Sequence, residues 1–252
     1  MSTYQIYFSP TQHTERITEI ITNTFESSSK IDLTDKMSAT SKIFSEEDIC
    51  IIGVPSYGGR VPSIALERMN HYQGNNAKVI LLVSYGNRAY EDTLKELQEF
   101  LTSKGFQCIA AIATVAEHSI MHQFATGRPD MQDKKELIEF AEKIRSKIKE
   151  NEFSKELHLP GNNPYREYHG VPLKPKVGKQ CSMCGICANK CPVGAIDVNN
   201  PKVTNKDMCI SCMRCIEICP SHAREVSDLK LKIAATQMKK TCSDRKENEL
   251  FY

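Results

Sequence analysis

Eight cysteines fall in two runs of one spacing. Cys181, Cys184, Cys187 and Cys191 are followed by Pro192, and Cys209, Cys212, Cys215 and Cys219 by Pro220. Each run reads C-x2-C-x2-C-x3-C-P, and the second repeats the first 28 positions on. An iron–sulfur cubane needs one soft thiolate for each iron, and in runs of this kind the first three ligands wrap one cluster while the fourth reaches the other. The spacing therefore predicts a [4Fe-4S] cluster on Cys181, Cys184, Cys187 and Cys219. It predicts a second on Cys191, Cys209, Cys212 and Cys215. A tetrahedral zinc site leaves the third cysteine of each run without a role. Disulfides across such short spacings would be strained.

Other chemistry-bearing residues sit in three loops, and the elements around them explain why. Over residues 1–150 strand-like and helix-like segments alternate. Near-continuous Val, Ile and Leu mark buried strands at 48–54, 78–84 and 106–115, with a first strand at 4–8 and a short edge strand at 31–33. Amphipathic helices are predicted at 14–25, 90–103 and 134–148. That rhythm argues for a parallel sheet covered on both faces, whose ligands bind beyond the carboxyl ends of the strands.

The three loops lie at such ends. Ser9, Thr11, Gln12, His13 and Thr14 lead from the first strand into the first helix, where hydroxyls and free amides suit a phosphate. Ser56, Tyr57, Gly58, Gly59, Arg60 and Val61 follow the second buried run; the paired glycines permit close backbone approach to a flat ring, and Tyr57 could stack on it. Ser84, Tyr85, Gly86, Asn87, Arg88 and Tyr90 follow the next. Taken singly these are also ordinary helix caps, turns and packing aromatics. Three at consecutive strand ends, in a chain with eight cluster-type cysteines, point to a flavin.

On these residues the first 150 positions resemble a flavodoxin. The whole chain except its tail resembles the bacterial and archaeal fusions of a flavodoxin-like domain to a two-cluster ferredoxin. The resemblance implies an α/β flavodoxin-like doubly wound parallel sheet plus a small α+β two-cluster ferredoxin domain. It implies an FMN whose phosphate is held by 9–14 and whose ring is flanked by 56–61 and 84–90. Gln12 stands where flavodoxins carry glycine, so the loop is expected to avoid a strained turn there. The domains would run 1–150 (flavodoxin-like), 151–178 (a Pro/Gly-containing linker), 179–226 (ferredoxin) and 227–252 (a charged tail, helical near 228–240). The function implied is an electron carrier passing single electrons between two [4Fe-4S] clusters, an FMN and partner redox proteins, in anaerobic metabolism. The alternative is an FMN-dependent reductase of a small substrate fed by the clusters.

Composition narrows the classes. The chain has 252 residues and a formal charge of +2, which is no footprint for nucleic acid. Its apolar stretches are too short for membrane insertion. A cytoplasmic location and metal ligation by the cysteines are expected; a homo-oligomer is left open. No G-x-G-x-x-G follows a strand, so a pyridine nucleotide is not the expected direct donor. The 117–130 connection is long for its place and is expected to cover the flavin or touch the ferredoxin domain. Cys50 and Cys108 read as core residues, and Cys242 as a free thiol in a polar tail.

Overall fold

The computed structural model describes residues 2–252 apart from 27, 39 and 154–156. The first part of the chain runs β1 (Thr3–Tyr7), α1 (His13–Thr22), β2 (Ser28–Asp32), β3 (Lys42–Ile43), β4 (Ile49–Pro55), α2 (Ser63–Met69), β5 (Tyr72–Gln73), β6 (Lys78–Tyr85), α3 (Thr93–Ser103), β7 (Gln107–Val115) and α4 (Met131–Glu150). The cysteine region contains β8 (Lys176–Val177), α5 (Ile186–Asn189), α6 (Arg214–Glu217) and β9 (Arg224–Glu225). It is followed by α7 (Asp228–Cys242) and β10 (Glu249–Phe251).

The main sheet has the order β10-β7-β6-β4-β1-β2. Its five N-terminal strands are parallel and β10 pairs antiparallel with β7. Numbered among themselves, the five run 2-1-3-4-5, the flavodoxin-like order of doubly wound sheets. Register aligns their carboxyl ends: Tyr7 stands beside Gly53, Pro55 beside Ser84, and Tyr85 beside Val115. The loops after β1, β4, β6 and β7 therefore leave the sheet side by side.

Burial on both faces explains the continuous apolar strands. Val79, Leu81 and Val83 face α2 and α3 through Ala65, Met69, Leu94, Leu97 and Leu101. Ile49, Ile51, Ile80 and Leu82 face α1 and α4 through Ile17, Ile21, Leu137, Ala141 and Ile144. Gly53 permits this packing, because a Cβ there would lie 2.2 Å from Thr18 Cγ2 of α1.

The repeat in the cysteine region extends to the backbone. Met183, Gly185 and Gly194 have φ of 62°, 77° and 66°, and their counterparts Ser211, Met213 and His222 have 55°, 62° and 47°. Both halves thus fold through the same left-handed turns into the one-turn helices α5 and α6. Around Asn199 and Asn200 the chain doubles back on itself through one antiparallel bridge, Ile196 to Thr204.

Two segments are more tightly bound than the sequence indicates. From 157 to 173 the chain lies against the first domain: Asp92, fully buried, accepts the Asn162 and Arg166 N–H groups, each at 2.7 Å. The last residues form a clasp. Asn248 Nδ2 donates to Asp133 at 3.1 Å and Glu136 at 2.6 Å, its Oδ1 accepts from Thr114 and Val115, and β10 extends the sheet. Cys242, expected in a polar tail, is 1% exposed among Met121, Phe124 and Met238. Among the described residues no helix is long and apolar enough to cross a membrane.

Candidate functional site

A cavity of about 530 Å³ opens at the carboxyl ends of β1, β4, β6 and β7. That is a size suited to a cofactor-class ligand. Ten of the expected residues line it: Thr11, His13 and Thr14; Ser56, Tyr57 and Gly58; Ser84, Tyr85, Gly86 and Arg88. The other expected residues are engaged elsewhere. Ser9 Oγ accepts the Glu15 N–H at 2.9 Å and caps α1. Arg60 pairs with Glu96 at 2.6 Å, Val61 belongs to the core, and Gly59 packs against Glu91. Asn87, 3% exposed, donates to the Cys242 and Asp244 carbonyls. Tyr90 packs on Tyr85, and burial together with the nearby Glu249 carboxylate raises its phenol.

Gln12 corrects an expectation. Its φ is 64°, so the loop keeps the left-handed turn. The turn is held by Gln12 N–H donating to the Ser9 carbonyl at 3.2 Å and by the Gln12 carbonyl accepting from Arg16 at 3.0 Å. A non-glycine residue in that region costs about 1–2 kcal/mol.

Several lining residues had no local signal. Glu117–Met121 come from the long connection after β7, the one hint the sequence offered. Tyr168, Val171 and Leu173 come from the linker, Ile210 and Ser211 from the second cysteine run, and Lys230, Ile233, Gln237 and Met238 from α7. Spacing along the chain says nothing of these approaches.

Burial favours the uncharged form of three lining residues, although Arg88, Glu117 and Lys230 also line the cavity. Burial pushes the Tyr57 phenol well above its ordinary value, and the nearby Cys212 thiol and Tyr168 phenol add to the rise. Burial lowers His118 to about 4; its Nδ1 accepts the Ile120 and Met121 N–H groups at 3.2 Å each. Burial also lowers His13, whose Nδ1 lies 3.2 Å from Thr11 Oγ1. Thr14 Oγ1 and Ser84 Oγ meet at 2.8 Å and tie the first loop to the third.

One cysteine of the first run gathers with three of the second. Cys191, Cys209, Cys212 and Cys215 line one small cavity, with Ile196, Ile210 and Met213 around them. Burial pushes the Cys212 and Cys215 thiols up to about 12; iron would displace those protons, since a ligating thiol is deprotonated. Cys219 lies at the end of the second run, accepts the Ala223 N–H at 3.2 Å, and is close in sequence to Ser221, whose hydroxyl meets Ser182 of the first run at 3.4 Å. Among the described residues no three His, Cys, Asp or Glu side chains converge on a single ion. Thiolates that each bind their own iron need no such convergence.

A family described as a 4Fe-4S dicluster domain matches residues 175–220. A ferredoxin of Methanothermococcus thermolithotrophicus is 34% identical over 47 residues, covering 18% of this chain and 78% of that ferredoxin. The chain belongs to the 4Fe-4S dicluster ferredoxins, joined to a flavodoxin-like domain. A polyferredoxin, MvhB of Methanothermus fervidus, is 37% identical over 68 residues, 27% of this chain; the chain spans 16% of that relative's length. A solved archaeal flavodoxin is 17% identical, covers 57% of this chain and 99% of its own, and superposes with a TM-score of 0.42. The flavodoxin-like assignment rests on the strand order, not on that superposition.

The ferredoxin domain is clamped to the sheet domain beside the cavity. Arg68 donates to the Leu33 carbonyl and, at 2.6 Å, to the Pro192 carbonyl. Arg214 Nη1 donates to the Pro10 carbonyl of the first loop at 3.3 Å, and Lys36 Nζ to the Ala188 carbonyl at 3.4 Å. The lining also fits a flavin. A Cβ at Gly58 would lie 2.4 Å from the Tyr168 ring, and one at Gly86 2.7 Å from His118, so these glycines let two other lining side chains pack close against the loops. The N-cap Gln12 makes no side-chain capping bond and Ser9 takes the Glu15 N–H, which leaves the His13 and Thr14 amides at the start of α1 for an anion.

Proposed function

We propose that the chain is an electron carrier that holds one FMN in the cavity at the sheet's carboxyl edge and two [4Fe-4S] clusters in the ferredoxin domain, and passes single electrons between them and partner redox proteins. The observation that carries this reading is one cavity lined both by the three flavodoxin-type loops and by Ile210 and Ser211, the two residues between Cys209 and Cys212. FMN exchanges one or two electrons and a cubane one, so the cofactors supply the chemistry and the protein sets position and potential.

The chain's own residues have defined tasks in this reading. The His13 and Thr14 amides, with Thr11 and Thr14 hydroxyls, receive the phosphate. Tyr57 and Tyr85 bound the ring, with Tyr168 packed on Gly58 and His118 on Gly86. Ile233 and Met238 of α7, with Tyr168, exclude water from its outer side. Cys181, Cys184, Cys187 and Cys219 hold one cluster; Cys191, Cys209, Cys212 and Cys215 hold the other. The residues that α7 adds to the lining leave less room for a substrate beside the ring, which favours the carrier over a reductase.

Anaerobic purification with iron, sulfide and flavin counted together tests the reading. About eight irons and one FMN per chain are expected. Four irons or fewer after full reconstitution, or no acid-released FMN, overturns it. Rapid flavin bleaching by NADPH or NADH alone would favour the reductase.

A further inference from the structure

The two runs of cysteines are equivalent in sequence but not in surroundings. Cys191 and Cys212 are each 8% exposed. The cavity they share with Cys209 and Cys215 adjoins the flavin-sized cavity: Ile210 lines both, and Ser211, beside Cys212, lines the larger. This side is also held firmly. Ser211 Oγ donates to the Val171 carbonyl at 2.9 Å, Lys174 Nζ bonds the Cys209 carbonyl, and Arg214 joins α6 to the Pro10 carbonyl. Cys184 is the opposite case. It is exposed, as are Ser182, Met183, Ile186, Asn189 and Lys190 around it, with Met183 43% and Ile186 41% exposed.

We infer that the cofactors work in a fixed order, resting on the reading above: the cluster on Cys191, Cys209, Cys212 and Cys215 is the flavin's immediate partner, and the cluster on Cys181, Cys184, Cys187 and Cys219 is the port to external one-electron carriers. Electron tunnelling falls steeply with distance, so order follows proximity. Each passage moves one electron. A two-electron change at the flavin takes two passages, with its two protons exchanged with solvent and two equivalents of a one-electron carrier as co-reactant. The buried, clamped position of the inner cluster keeps its distance to the flavin constant. The exposed position of the outer one leaves it open to collision.

Iron, sulfide and FMN are counted first, so a failure of the carrier reading appears before the order is tested. Cys184→Ala and Cys209→Ala are then compared with the unmodified protein. In Cys184→Ala, flash-induced electron exchange between flavin and the surviving cluster should stay within twofold of normal, while flavin reduction by reduced methyl viologen slows at least tenfold. In Cys209→Ala the flash-induced exchange should fall at least tenfold. The reverse pattern, or equal effects in both variants, overturns the order. If either variant does not fold, limited ferricyanide treatment of unmodified protein decides it. One cluster should convert first to a [3Fe-4S] form with flavin–cluster exchange intact; exchange lost in step with that first conversion overturns the order.

Discussion

The Asn87 side-chain amide donates to the Cys242 carbonyl at 2.7 Å and to the Asp244 carbonyl at 2.8 Å. Asn87 sits in the third cavity loop and Cys242 ends α7, so one buried amide joins the loop to the helix that walls the cavity. Its Oδ1 also accepts the Lys246 N–H at 3.4 Å. Asn87→Ala leaves two carbonyls without their donor, a cost of about 1–3 kcal/mol. Urea unfolding should show that loss. FMN dissociation, followed by recovery of flavin fluorescence, should tighten or loosen with the loop, and we expect Kd to rise about tenfold, or about 1.4 kcal/mol. Unchanged Kd with lowered stability would mean that the loop does not hold the flavin.

Gly58 gives a second prediction with its own control. Gly58→Ala meets two obstacles, a φ of +61° and the Tyr168 ring at 2.4 Å, whereas Gly170→Ala meets only a φ of +81° with nothing within 4 Å. Both substitutions carry the backbone penalty of about 1–3 kcal/mol. Only Gly58→Ala must displace Tyr168 from the cavity. FMN retention after desalting should fall in Gly58→Ala and hold in Gly170→Ala.

His118 makes the cavity wall sensitive to acid. Its pKa is lowered to about 4 in the folded chain by burial, against an ordinary value near 6.5. Because the folded value is depressed, the unfolded chain binds the proton first, and stability present above about pH 6.5 is lost as pH falls toward 4, by up to about 3 kcal/mol. Protonation at Nδ1 would also end its acceptance of the Ile120 and Met121 N–H groups. Thermal midpoints measured from pH 7 to pH 4.5 should fall more steeply in the natural protein than in His118→Gln. Parallel slopes would remove His118 from this role.

How much of this was legible in the sequence depends on whether the signal was local. The strands at 78–84 and 106–115 and the helix at 134–148 appear within a few residues of their places, because burial on both faces writes itself as continuous Val and Ile, and packing on one face as helical periodicity. The cysteine runs declare their chemistry through spacing alone. The cavity's outer wall was not legible. Tyr168, Ile210 and Met238 reach it by tertiary packing of segments distant in the chain, which no local pattern encodes. β10 escaped for a related reason: three residues, Glu249–Phe251, carry no period, and they are a strand only because β7 offers an unpaired edge. Asn87 and Tyr90 looked like ligand residues because polar and aromatic side chains at a strand end suit a ligand. They suit a tail clasp equally well.

The same clasp has a buried ionic centre. Arg128 and Asp133 are 5% and 1% exposed in their side chains and meet at 2.5 Å, and Arg128 Nη1 also holds the Lys246 carbonyl at 2.7 Å. Hydrogen bonding to Arg128 holds the Asp133 carboxyl below its ordinary range against the effect of burial. Arg128→Met leaves that carboxylate with Arg245, Asn248 and the Asp130 N–H. Breaking a buried pair from one side costs about 3–5 kcal/mol, and the remaining partners put the expected loss near the lower end. Hydrogen exchange should place the loss in 244–251 and the start of α4, not in the cysteine region.

The crossing of the cysteine runs can be tested by asking which variants look alike. If each run kept its own cluster, Cys219→Ala would resemble Cys212→Ala, since both would damage the second run's site. The arrangement of thiols argues otherwise: Cys191 shares one cavity with Cys209, Cys212 and Cys215, while Cys219 lies beyond it, near Ser221, which touches Ser182. Cys219→Ala should therefore leave the same surviving cluster as Cys181→Ala or Cys187→Ala, and Cys191→Ala the same one as Cys212→Ala. Electron paramagnetic resonance of the reduced proteins would sort the five into two groups by the spectrum that remains. Spectra that pair Cys219→Ala with Cys212→Ala would return each cluster to a single run, and with it the independence of the two halves.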